Sequence, residues 1–252
     1  MGTKTGLLIY ADGEVPGLLR GAKAADLPRT SEMMRRLYPG SEIERLGGSP
    51  LAYCLYPPEG AAYAASRPGV EMVCDQRVMI DFPSRLPEHL VAASVGRRLV
   101  LHAMHSIVDW FAFAVWEDGR LVRSLSLSPD CGVIEDIGEP LPFELPYWAG
   151  DHPVDVVPRP NEDEEPRPLP FHPLDLGEEA LRTLCGLVQE DRPGPDAFDP
   201  YDIDLHGFFV RDPHGPDPAG EEAKLRKIRE NMRSSYSHRL GPDSSLIEPD
   251  VP

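Results

Sequence analysis

The chain has 252 residues, 41% of them hydrophobic and 27% charged, which is enough to bury a core and too apolar for disorder throughout. Acidic residues number 42 against 25 Lys and Arg, a formal charge of −17. Such a field repels phosphate backbones and anionic lipid, so neither nucleic acid nor a membrane is an expected partner. No Gly-X-Y period, sustained heptad or 20-residue apolar run is present, which removes collagen, coiled coil and a membrane-spanning helix.

The charge is unevenly placed. Residues 1–150 hold 19 acids and 14 bases, residues 151–218 hold 17 and 5, and residues 219–252 hold six of each. The middle stretch also carries 13 of the 29 prolines. The cysteines, Cys54, Cys74, Cys131 and Cys185, are far apart and form no Cys-x-x-Cys pair, so a zinc ribbon or thioredoxin-type motif is not expected. The N-terminus lacks the basic, apolar and small-residue succession of a signal peptide. A cytoplasmic protein is predicted.

In chain order, a first strand is predicted over Thr5–Tyr10, closed by the turn Ala11-Asp12-Gly13. A helix follows from about Thr30 to Tyr38, with Met33, Met34 and Leu37 on one face and Pro39-Gly40 as its stop. Short strands are predicted at Ile43–Leu46, Leu51–Tyr56 and Glu71–Phe82, the last broken near Asp75-Gln76. Ser84 as cap, Pro87 in the first turn and Gly96 as terminator mark a second helix. Arg98–His105 reads as a strand, and Trp110–Trp116 is apolar on both faces, as a central strand must be. Asp118-Gly119 is the favoured two-residue hairpin turn. Arg120–Leu127 then alternates, Leu121, Leu125 and Leu127 facing one way and Val122, Ser124, Ser126 and Ser128 the other. The result is a three-stranded antiparallel meander covered by the Pro87–Gly96 helix. Asn161–Pro166 is predicted to be an exposed, self-repelling loop. Two further helices are predicted, at Gly177–Gln189 and Glu221–Tyr236. The apolar stripe of the second, Leu225, Ile228, Met232 and Tyr236, is narrow, so that helix either docks on the body or forms on binding.

The expected fold is α+β, with a mainly antiparallel central sheet, helices packed on one face and an acidic Pro-rich extension. Residues 1–210 are read as one domain, including an irregular segment at about 151–176. Residues 211–252 are read as linker, short helix and flexible tail.

The run WFAFAVWEDGRLVRSLSLSPDCGVIEDIGEPLPFELPYWAG from Trp110 to Gly150, with the Tyr10–Gly13 turn and Leu169-Pro-Phe-His-Pro173, resembles a family of uncharacterised cytosolic proteins of high-GC Gram-positive bacteria, a domain of unknown function. The resemblance covers roughly residues 2–210 and implies no activity. The part beginning at Asp118 is also similar to β-meander modules of bacterial interaction and immunity-type proteins.

Established catalytic motifs are missing: there is no G-x-S-x-G, Walker A, G-x-G-x-x-G or H-E-x-x-H. The catalytic candidates are Asp12, His102, His105 and Asp109. His102, His105 and Asp109 form a two-His-one-carboxylate set of the kind that suits a divalent transition metal. Strand alternation puts residues three apart on opposite faces, however, so two sheet histidines and a turn aspartate are the competing reading and no metal or other cofactor is expected. Asp130, Glu135, Asp136, Glu139 and Glu144 gather after the meander, either as carboxylates sharing acid and base roles or as a solvated rim. Pro140, Pro142 and Pro146 stiffen this stretch. Glu139, Phe143, Glu144, Tyr147 and Trp148 thus form a candidate binding surface, unless the rings only close the core.

Two functions compete. One is a non-enzymatic protein-binding or regulatory module whose acidic arm engages a basic protein partner. The other is a hydrolase with an unfamiliar, metal-assisted site at the sheet edge. The missing catalytic signatures favour the first.

Overall fold

The first strand lies in the interior of the sheet. β1 (Lys4–Ala11) is buried almost throughout, and its alternate side chains feed two cores. Leu7, Ile9 and Ala11 enter one; Leu8 and Tyr10 enter the other. A strand apolar on both sides needs cover on both sides. The structure is a computed structural model and describes residues 4–20, 25–154, 168–188 and 199–239, with side chains as far as Met232.

After β1 come α1 (Val15–Arg20), α2 (Leu27–Leu37), β2 (Glu42–Arg45), the two-residue β3 (Ser49–Pro50), β4 (Ala61–Arg67) and β5 (Val70–Cys74). Then follow α3 (Glu88–Ala92), β6 (Arg98–His105), β7 (Trp110–Glu117), β8 (Arg120–Ser128), β9 (Gly132–Ile137), α4 (Leu145–Ala149), α5 (Pro173–Ala180), β10 (Asp204–Arg211) and α6 (Pro218–Arg239). The strands form one antiparallel sheet in the order β2-β10-β4-β5-β1-β6-β7-β8-β9, with β3 beside β10. This is the expected α+β class with an antiparallel sheet.

Helices pack on both faces of that sheet rather than on one. Met33, Met34 and Leu37 of α2 and Leu90 of α3 cover the face of Leu8 and Tyr10. Val15 and Leu19 of α1, and Leu225 and Ile228 of α6, cover the opposite face, as do Leu181 and Cys185 in the π-helical turn that continues α5. α2 begins earlier than predicted because Asp26 caps it, its carboxylate accepting from the Arg29 N–H, with Pro28 in the first turn. Ser84 does not cap α3. It lies in a separate 3-10 turn, Pro83–Arg85, and Pro87 stands at the cap position.

The predicted strand at Leu51–Tyr56 is instead a 3-10 turn, Leu51–Tyr53. Leu51, Cys54 and Leu55 are the buried residues there; their spacing of three and four is helical, and prolines bracket the stretch. β4 went unpredicted because AAYAASR has little intrinsic strand preference. It is a strand because β10 and β5 pair with its two sides.

The meander is as expected. Asp118 and Gly119 both take positive φ, 52° and 72°, the conformation a two-residue hairpin turn of this hand requires. The alternation within β8 is not as expected. Val115 faces Arg123 while Trp116 faces Leu121, so Val122 is an extra, bulged residue. Leu121 therefore joins the core of Trp116, whereas Leu125 and Leu127 join that of Phe111 and Phe113. Arg123, C-terminal to the bulge, keeps the side of Leu125.

α6 docks on the body. Leu225 and Ile228 are buried, Lys224 reaches Glu59 at 2.7 Å, and Arg229 pairs with Glu44 of β2. It is longer than the predicted helix. The Tyr236 side chain and the Asn161–Pro166 loop lie outside what is described. Among the described residues no helix is long and apolar enough to cross a membrane.

Candidate functional site

The four catalytic candidates do not converge. His102 lies inside, on the face of Leu7 and Phe111. Its Nδ1 is 2.8 Å from the Thr5 hydroxyl and its Nε2 is 2.9 Å from the Gly177 carbonyl. A carbonyl only accepts, so Nε2 carries the hydrogen and Nδ1 accepts from Thr5. Burial pushes the imidazole down to about 4, so it is neutral near pH 7. Gly177 lets α5 sit this close: a Cβ there would lie 2.7 Å from Met104 Sδ and 3.0 Å from the Phe111 ring.

His105 points to the other face, as the alternation argument requires. It ends β6, opposite Lys4 on one side and Trp110 on the other. The Tyr56 ring stands edge-on to it at 5.9 Å, and Lys4 Nζ lies 4.9 Å from the centre of that ring. Burial and the Lys4 charge lower its pKa. Its Nδ1, with Ser106 Oγ and Trp110 Nε1, is buried without a hydrogen-bond partner. Asp109, in the turn beyond, has a φ of 48° and lies 3.7 Å from His172 Nε2. His172 Nδ1 in turn accepts from the Leu174 N–H and caps α5. With Nδ1 accepting from Leu174, the hydrogen of a neutral ring sits on Nε2, 3.7 Å from Asp109 and beyond hydrogen-bond distance, so that imidazole is not placed as a general base.

Asp12 is elsewhere. It follows β1 at the end where Ala11 pairs with Arg98, whereas Lys4, at the other end, pairs with His105; eight residues of strand put about 25 Å between the two ends. There Asp12 pairs with Arg97 at 2.8 Å, and Arg97 also meets Glu71 at 2.7 Å. Three of the four cysteines are withdrawn: burial pushes the Cys54 and Cys185 thiols up to about 12 and the Cys74 thiol well above its usual range, while Cys131 is exposed.

The candidate binding residues fall into two groups. Glu144 is fully buried, and its two oxygens accept from Nε and Nη2 of the equally buried Arg123 at 2.9 and 2.7 Å. The Leu141 N–H adds a bond at 2.7 Å. Arg123 Nη1 meets Asp136 and the carbonyls of Ile137 and Gly138. Tyr147 is also interior, its hydroxyl donating to the Asp175 carbonyl and its ring stacked on His152. Phe143 and Trp148 are half-buried against Phe113 and Phe171. Glu139 alone of the five is fully exposed. The Pro-stiffened segment is thus fastened inward by its acid and its rings, which corrects the view of Glu144 and Tyr147 as contact residues.

What lies outward is the neighbouring strand. β9 ends the sheet and pairs with β8. Val133 and Ile137 of β9 are 44% and 42% exposed, and the bulged Val122 of β8 is 42% exposed. Glu135, the buried acid of β9, accepts from the Ser84 N–H at 3.0 Å, the Ser84 hydroxyl at 2.6 Å and the Ser124 hydroxyl. Asp130 and Glu139 flank the strand in solvent. Sequence reasoning missed this edge and the inward Arg123. Arg123 shares its parity with Leu125, so alternation alone puts it on that inner face; the bulge displaces only Val122 and Leu121. The available signal was an arginine inside a Leu/Ser strand with an acid 21 residues on.

A family model described as a family of unknown function (DUF6928) matches residues 5–208. No curated protein and no solved structure matches the chain. The chain belongs to that family.

Proposed function

We propose that this chain is a non-enzymatic binding or regulatory protein of the cytoplasm whose partner is a basic protein. The observation that carries this reading is that the candidate reactive side chains lie apart, most of them engaged in structure. Both nitrogens of His102 are occupied by neighbours, Nδ1 of His172 caps α5, and the buried acids Glu135 and Glu144 are each saturated by donors. Asp12 stands at the far end of β1 from His105. Catalysis by nucleophile and base needs such groups free and mutually within reach. The net charge of −17 favours encounter with a basic surface and gives it a salt dependence. The four cysteines form no disulfide, as in a reducing compartment.

The test is capture from a native lysate on immobilised protein at low ionic strength, followed by reconstitution with the purified partner. A Lys/Arg-rich protein released between about 0.15 and 0.5 M salt is expected. Substitutions Asp109→Asn and His105→Ala should leave its affinity and its release unchanged. Turnover of a hydrolase substrate panel that disappears in Asp109→Asn would overturn the reading.

A further inference from the structure

The two edges of the sheet differ. At one, β2 carries Glu42, Glu44 and Arg45, and its acids are strapped by Arg211 and by Arg229 of α6. At the other, β9 pairs with β8 alone among the described residues. Edge strands are ordinarily guarded against further pairing by lysine, proline or shortness. β9 has six residues and neither lysine, arginine nor proline, and no Lys or Arg occurs from Ser124 to residue 158. In place of guards it exposes the β-branched Val133 and Ile137. Its C-terminal end is held in shape by Arg123, which bonds the carbonyls of Ile137 and Gly138. Its middle is held by Glu135 on Ser84 and Ser124.

Resting on the binding reading above, we propose that β9 accepts an extended segment of the basic partner as an additional strand, one in which Lys or Arg alternates with β-branched apolar residues. Backbone pairing supplies the attachment and alternate side chains supply selection. Val133 lies on the face of Leu127 and Ile137 on the opposite face, that of Ser124, so the apolar positions of the segment meet one or the other according to register, and its basic positions answer Asp130 and Glu139, acids with no cation near them in sequence. A second copy of this chain is a poor occupant: β9 against β9 brings Asp130, Asp136 and Glu139 of both copies to one seam, and like charges oppose pairing. Because the edge is already fixed by Arg123 and Glu135, little ordering cost falls on the protein when the segment binds.

The probe is the capped peptide Arg-Val-Arg-Thr-Arg-Val-Arg with full-length protein, followed by calorimetry and by amide exchange of β9. Saturable binding with slowed exchange in Gly132–Ile137 is expected. Binding should weaken at least about tenfold in the edge-guarded variant Val133→Lys/Ile137→Lys. It should also weaken for a peptide N-methylated at alternate residues, which keeps the charge and loses the ladder. An unchanged urea midpoint shows that the variant is folded, as expected for exposed positions. Equal binding of the methylated peptide, protection mapped away from β9, or no binding at low salt would each overturn the proposal. The lysate experiment separates the two claims: a basic partner held equally by wild type and the edge-guarded variant removes the β9 proposal and leaves the binding reading standing. Absence of any salt-released partner on wild type removes the reading itself.

Discussion

Replacing Arg123 by Met tests the interior of the bulged strand. The substitution keeps most of the side-chain volume and removes the guanidinium that faces Glu144, both groups being fully buried. The carboxylate would keep the Leu141 N–H at 2.7 Å and the more distant Trp148 indole N–H at 3.4 Å, which is too little to hold a charge out of water. Removing one partner of a buried pair costs about 3–5 kcal/mol. The two surviving donors place the expected loss near the lower figure, about 3 kcal/mol. In a chain of this length that lowers the midpoint of thermal unfolding by about 6–12 °C. The double variant Arg123→Met/Glu144→Leu removes both charges and should recover most of the loss, because an apolar pair of similar volume substitutes well for a buried ion pair. Asp136→Asn, at a half-exposed partner, should cost less than about 1 kcal/mol. Urea unfolding of the four proteins at pH 7, followed by circular dichroism, measures each term. A single variant within about 1 kcal/mol of wild type, or a double variant no better than the single, would show that the pair does not bear the stress assigned to it.

Two further outcomes follow from the α5 contact. Because the His102 imidazole is pushed down to about 4, the unfolded chain takes up a proton below its ordinary value of about 6.5 while the folded one does not. Stability should therefore fall as pH drops from about 6.5 to about 4, by about 3 kcal/mol in all. His102→Leu should flatten that slope, and a ring signal of His102 titrating near pH 6.5 would contradict its interior position. Gly177→Ala should cost about 1–3 kcal/mol in chemical denaturation, because the new methyl meets Met104 and Phe111. A neutral result would mean that α5 does not seat as closely as described.

The meander was legible in the sequence because local signals agreed there. Trp110–Trp116 is apolar on both faces, Asp118-Gly119 fits one turn type, and the flanking strands alternate. The neighbouring elements failed where tertiary context outweighed local preference. β4 is alanine-rich and is a strand only because β5 and β10 flank it. Leu51–Tyr53 contains apolar residues that look strand-like, yet buries them at helical spacing. The second layer of helices was foreseeable from the two-faced burial of Trp110–Trp116, since a strand apolar on both sides implies cover on both. At the candidate site, the opposed faces of His102 and His105 followed directly from a period of two. The placement of Leu121 did not, because one bulged residue, Val122, reverses the face assignment on its N-terminal side, and nothing in RLVRSLSLS announces it.

β10 is the last strand among the described residues, yet it lies between β2 and β4, which were made some 140 to 160 residues earlier. β5, β1 and β6 to β9 can zip together as they leave the ribosome. The wing holding β2 cannot close until residues 204–211 are available to fill the gap. During synthesis, β4 consequently waits with one side unpaired, next to a β2 that has no partner at all. A nascent chain stalled before residue 204 is thus half a completed sheet and half an open slot. The closing strand slides in only after residue 211 has emerged, and until then such a chain is exposed to mispairing and chaperone capture.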